Sequence, residues 1–313
     1  MMLPLALGTL LLAASAPIMG LAAQPGQVAV PRVELLGWGV TGWREEPPRS
    51  GVPAGSRPQD WRRRATAMHE WLWSPQALAL GVRRESVSYR SRWFNGTGFG
   101  IPDYMGDARY GSGPGSALTV IGTLLSASLL GLPLPRDEFV QSSRAYLAPN
   151  GVAMDNPPGM AIPSVGTYWY TLVNQAFFAA LSARLPQLDP DHSLLRLAAD
   201  TWHGAAQAMG GDFDHTGFDF VKMQPVDNKL WKEPDSAGGI AFISVLAHHH
   251  TQSPTHLATA KMALDFLEGR QASPLYEMML PFGAYSAARL NAIQGNASRA
   301  HAYDVQKLVA WTL

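Results

Sequence analysis

Leu230–His250 reads LWKEPDSAGGIAFISVLAHHH. A polar lead-in with two carboxylates, Glu233 and Asp235, runs into an apolar stretch rich in Gly, Ala and Ser. Similar successions occur at Tyr110–Leu130, Val165–Ala183 and Pro281–Ile293, each behind a Gly- and carboxylate-bearing loop. After each, a polar or Pro-containing turn leads into a second stretch of helical period: Asp137–Leu147, Leu194–Met209, Thr255–Glu268 and His301–Trp311. The pattern predicts helical hairpins, the first helix of each buried and the second outside. Their uneven spacing excludes a strict solenoid. The expected fold class is all-α: a helical-hairpin (α/α)-toroid or partial toroid over residues 60–313, with a small β-hairpin insertion. The insertion falls in Gly210–Lys232, where Phe213, Phe218 and Phe220 flank Thr216-Gly217. In such a ring the lead-in loops converge on one mouth. Four hairpins are fewer than the about six that close a ring, so an open arc or a fragment is expected.

Upstream, Arg62–Trp73 has helical period with Asp60 as N-cap, and Glu85–Trp93 alternates like a short strand. Asn95–Ser116 (NGTGFGIPDYMGDARYGSGPGS) holds seven glycines and two prolines and reads as one long functional loop. A second loop carries DNPPG at Asp155–Gly159. Residues 24–59 are rich in Pro and Gly and read as an extended segment. Met1–Ala14 is almost wholly apolar and Gly20-Leu21-Ala22 is small, as in a signal peptide spanning residues 1–23. No Lys or Arg precedes Arg32, so an uncleaved apolar anchor is the competing reading. A secreted or periplasmic protein is expected, with no membrane contact beyond the export signal.

The 313 residues are 47% hydrophobic, enough for a sizeable core. Lys+Arg and Asp+Glu balance at 24 each, which gives no global pull toward nucleic acid. Cysteine is absent, which excludes disulfides, thiolate nucleophiles and cysteine-zinc sites.

Ile101–Ser116, Leu230–Ile240 and Leu275–Ala288 together resemble the six-hairpin, (α/α)6-toroid glycosidase-like proteins. The resemblance runs from Arg62 onward and its motifs are not diagnostic of one activity. It implies an oligo- or polysaccharide partner, no cofactor, and chemistry at the mouth. Toroids of this kind include glycosidases, unsaturated-uronyl hydrolases, polysaccharide lyases and terpenoid cyclases.

Glycoside hydrolysis needs one carboxylic acid and one carboxylate across a cleft. Asp103, Asp107, Glu233, Asp235 and Glu277 are the candidates. Each has a structural alternative. Asp103 and Asp107 would cap backbone or pair with Arg109. Asp235 would cap the helix it precedes. Glu277 lies among Leu275, Met278, Met279 and Leu280, which should raise its pKa as a general acid requires; the alternative is a buried Glu bonded to a helix end or to Arg289. Tyr104, Arg109, Tyr110, Trp169, Trp231 and Tyr276 are the candidate substrate contacts.

Asp212–Gly217 matches the first half of a calcium loop, but Met223 stands at the twelfth position, so a plain turn is favoured and no metal site is expected. His248-His249-His250 are consecutive on a helix and point apart, which suits a helix C-terminus better than a metal. Nucleophile-elbow, phosphate-loop and H-E-x-x-H motifs are absent. The expected function is an exported glycoside hydrolase. The alternatives are a polysaccharide lyase using Tyr168, Asn174 or His203, and a non-catalytic glycan-binding or structural protein.

Overall fold

The computed structural model describes residues 61–101, 116–157, 167–294 and 302–312. The signal segment, the extended segment, Asp60, Asp103, Tyr104, Asp107, Arg109 and Tyr110 lie outside the described residues.

Ten α-helices are present among the described residues. Helices α1 (Trp61–Leu72) and α2 (Pro75–Ala79) lead into a hairpin of β1 (Arg84–Arg90) and β2 (Asn95–Gly100). Four helix pairs follow: α3 (Ala117–Leu130) with α4 (Asp137–Ser142), α5 (Tyr168–Arg184) with α6 (Ser193–Ala208), α7 (Ser236–Thr251) with α8 (Pro254–Gly269), and α9 (Leu280–Gln294) with α10 (Val305–Ala310). Strands β3 (Gly217–Asp219) and β4 (Gln224–Val226) form the expected small hairpin between α6 and α7.

The first helices of the pairs pack side by side in the order α3, α5, α7, α9. Helix α7 is buried without a break from Ser236 to Ala247, as an apolar helix with no polar face must be. Its partners are one-sided. Helix α6 buries Leu194, Leu195, Ala198, Ala199, Trp202, Ala205 and Ala206, a single stripe of helical spacing. The inner helices approach closely because small residues line their contacts. A Cβ on Gly238 would strike the Met279 carbonyl and lie 3.0 Å from the Gly283 nitrogen; one on Gly239 would lie 2.9 Å from Leu172. These contacts join the first turns of α5, α7 and α9, so the three helices start at one end. Among the described residues α3 and α9 share no packed interface like those within the row.

The sequence reading needs four local corrections. Asn95–Ser116 is not one loop, because Asn95–Gly100 pairs antiparallel with β1. The alternating glycines lower strand propensity, but Gly98 sits where a Cβ would collide with Ser142, so close packing explains it. Among the described residues there are thus two β-hairpins, not one. Asp137–Leu147 is not one helix: α4 ends at Ser142 and a 3-10 turn covers Ser143–Tyr146. The helical run that the sequence carries over Tyr276–Gln294 begins only at Leu280, so Tyr276 and Glu277 precede α9. No helix of the described residues is long and apolar enough to cross a membrane.

Candidate functional site

The lead-ins to three inner helices are tied together by the carboxylates of one loop. Pro234 fixes the backbone between Glu233 and Asp235, and the two side chains reach different neighbours. Glu233 Oε2 accepts the backbone N–H of Trp169, in the first turn of α5, at 2.8 Å. Its Oε1 accepts the indole N–H of Trp231 at 3.1 Å. Asp235 Oδ2 accepts the backbone N–H groups of Glu277 at 3.3 Å and Met279 at 3.1 Å, just ahead of α9. Asp235 therefore stands at the N-cap position of α7 but its side chain makes no bond to α7. The local cap expected from sequence is replaced by one across helices. The first N–H groups of a helix have no partner within it, and either choice satisfies that need.

The β3–β4 hairpin braces the same corner. The Tyr168 N–H donates to the Thr216 carbonyl, and the Glu233 N–H donates to that of His215. The Thr216 hydroxyl donates to the Trp231 carbonyl at 2.8 Å. On the other side the Ala117 N–H donates to the Asp155 carbonyl, so the DNPPG loop meets the start of α3. Asp155, Asn156 and Asn174 are buried there. The Asn156 amide donates to Asp155 at 3.2 Å and the Asn174 amide at 3.5 Å. Nothing in the sequence marks this second polar cluster as a unit, since 19 residues separate Asp155 from Asn174. The described parts of the lead-in loops thus gather at one end, as the hairpin pattern requires.

Electrostatics separate the three acids. Glu233 is 1% exposed, and burial pushes its carboxyl up to about 7 against the two N–H bonds; Asp235 and Glu277 push the same way. Burial raises Asp235, with the Met279 and Glu277 N–H groups opposing. Glu277 is raised by partial burial first and by Asp235 second. Its side chain, expected to be buried among apolar neighbours, is exposed, and neither a helix end nor Arg289 holds it. Arg289 instead donates to the Tyr285 hydroxyl. Glu277 is the accessible acid of the three.

Trp231 and Tyr276 are 38% and 40% exposed, and Leu230 and Leu275 beside them are exposed too. A hollow of about 210 Å³ opens at Trp231, lined also by Asp227, Lys229, Leu230 and Lys232. A larger hollow of about 470 Å³ is lined by Arg62, Arg63 and Glu70 of α1. Arg62 reaches the Leu130 carbonyl at the far end of α3, so that hollow is remote from the mouth. The Trp169 ring is half-buried and packs against the core, and its backbone N–H serves the site.

The lyase candidates do not converge. The Tyr168 hydroxyl is buried against the Met209 sulfur at 3.0 Å, and burial raises its pKa. Asn174 bonds to Asp155 and to the Tyr170 carbonyl, and His203 bonds to Thr259 in the outer layer. The calcium-like Asp212 accepts the Asp214 N–H at 2.9 Å in a tight turn, and Asp214 pairs with Lys232 and Arg270. His248 bonds to the Ser253 carbonyl, while His250 lies 4.1 Å from the His192 ring. No family model, curated protein or solved structure matches this chain.

Proposed function

We propose that the mouth binds an oligo- or polysaccharide and that the protein is an exported glycoside hydrolase. The observation that carries this reading is the pairing of an exposed carboxyl of raised pKa, Glu277, with the exposed faces of Trp231 and Tyr276. Flat rings bind the apolar faces of sugars, and an accessible carboxyl whose pKa is raised suits a leaving-group acid. Glu277 is the acid in this reading, and the second carboxylate comes from Asp103 or Asp107. Lys229 and Lys232 line the Trp231 hollow beside Asp227, while Glu233 and Asp235 are buried, so charge does not choose between neutral and uronate-rich glycans; the separate bonding of Tyr168, Asn174 and His203 weighs against a lyase. The apolar segment Met1–Ala14 supports export to the periplasm or the medium.

One observation favours non-catalytic glycan binding as a second reading. Glu233 and Asp235 are both occupied by backbone N–H groups, which is a structural task. Titration with a panel of neutral and acidic oligosaccharides, followed by tryptophan fluorescence and by release of reducing ends, separates the two. Cleavage lost in Glu277→Gln with binding kept supports hydrolysis. Binding without cleavage supports the second reading, and a panel that neither binds nor is cut rejects both.

A further inference from the structure

Glu233 holds two N–H donors, one on each oxygen. An ionised carboxylate is acceptor-only and suits both. A protonated one turns one oxygen into an O–H donor and a poorer acceptor, so the N–H bond at that oxygen is weakened. The two partners differ in their freedom to leave. The Trp169 N–H is backbone at the start of α5 and moves only if the helix frays. The Trp231 indole is a side chain on a loop, 38% exposed, with the longer bond of the two. We propose that Glu233 is the positioning residue of Trp231: its ionised form fixes the indole as a stacking face, and protonation releases it. Glycan binding at the mouth then strengthens as pH rises, a clause that rests on the carbohydrate reading above.

The setting fits this role. Glu233 is almost fully buried, so water does not replace the lost bond. Burial places its titration at about 7, within the range of ordinary environments. The charged and titratable groups around it are Asp235 on its own loop, Tyr276 and Glu277 ahead of α9, and Tyr168 at the start of α5. On the β3–β4 side, His215 pairs with Asp227 at 3.1 Å, and Asp212 acts on Tyr168. Lys232 reaches Asp214 rather than Glu233, and among the described residues no cation neutralises Glu233.

The test is a pH titration of the Trp231 indole N–H in 1H–15N spectra of the full chain without glycan, the peak being assigned by its loss in Trp231→Phe. The expected result is a shift with one midpoint within about a unit of neutrality, kept in Glu277→Gln. In Glu233→Gln, which offers one acceptor and one donor like the protonated acid, the peak stays at the acid position from about pH 5.5 to about pH 8.5. A peak that does not move, one that moves equally in Glu233→Gln, or one whose shift vanishes in Glu277→Gln overturns the proposal. Should Glu233→Gln fail to fold, the parent and Glu277→Gln titrations still decide, since a midpoint near the ordinary 4.5 overturns it. A second measurement uses whichever oligosaccharide of the fluorescence panel binds. Affinity should be about thirtyfold higher at about pH 8 than at about pH 5.5, because the ionised, competent form rises from about 3% to about 90% of the protein. Equal affinities with a titrating indole overturn the coupling to glycan. A titrating indole with no glycan bound at any pH supports the role of Glu233 and rejects the carbohydrate reading alone.

Discussion

The Asp235 carboxylate accepts the Met279 N–H at 3.1 Å, so a residue at the start of one inner helix caps the start of the next. The Glu277 N–H shares the same oxygen. Asp235→Ala would leave the buried Met279 N–H and the part-buried Glu277 N–H without their acceptor and should destabilise the fold by about 1–3 kcal/mol. Asp235→Asn keeps an acceptor and drops a buried charge, so it should cost well under half as much. Urea unfolding with unchanged slope measures both. Equal losses in the two variants would mean that the charge, not the cap, matters.

Gly238 makes a comparable demand through shape. A Cβ there meets the Met279 carbonyl and lies 3.0 Å from the Gly283 nitrogen, and both are backbone. Backbone does not yield as a flexible side chain does. Gly238→Ala should cost about 1–3 kcal/mol by forcing α7 and α9 apart, despite the better helix propensity of Ala. Gly204→Ala is the control. Its Cβ would meet only the end of the Met223 side chain at 3.3 Å, so the change should be neutral or stabilising.

The inner row was legible because apolar runs with small residues can only be buried helices. Its order followed from successive hairpins packing as neighbours. The mouth was half legible. The sequence put Glu233, Asp235 and Glu277 in lead-in loops, but not which acid would be exposed. Leu275, Met278 and Met279 suggested a buried Glu277, yet Met278 and Met279 turn inward while Leu275, Tyr276 and Glu277 face solvent. Asp235 looked like a local cap because propensity is local. Its bond to Met279 spans 44 residues, and single-residue preferences carry no such information. Strand β2 was missed for the same reason, since Gly98 answers to Ser142 of α4 and not to its own neighbours.

Glu277→Gln tests the proposed chemistry with little structural disturbance. The side chain is exposed and holds no helix end, so stability should change by less than about 0.5 kcal/mol. Turnover on a cleaved glycan should fall by about 10²–10⁴-fold, the share of a general acid. Trp231→Ala should instead weaken binding, with a rise in KM. Unchanged turnover in Glu277→Gln would remove it from the reaction.

The pH dependence of stability should be a contest between two ends of the bundle. At the mouth, burial raises Glu233 from 4.5 to about 7, so the folded state binds the extra proton between those values. Stability from this group is therefore lost as pH rises through that window, by roughly 3 kcal/mol in all. At the far end, burial first and then His192 and His249 lower His250 from 6.5 to about 4. There the unfolded state binds the extra proton, and stability is gained as pH rises from 4 to 6.5 by a similar amount. The two slopes oppose each other over most of the same range, and the parent protein should show a shallow profile. His250→Asn removes the rising component, so its unfolding free energy should fall by about 2–3 kcal/mol between about pH 4.5 and about pH 7 relative to the parent. Glu233→Gln should tilt the profile the other way. Urea midpoints across that range decide the matter: parallel profiles in parent and His250→Asn would show that His250 titrates in the folded protein much as it does in the unfolded chain.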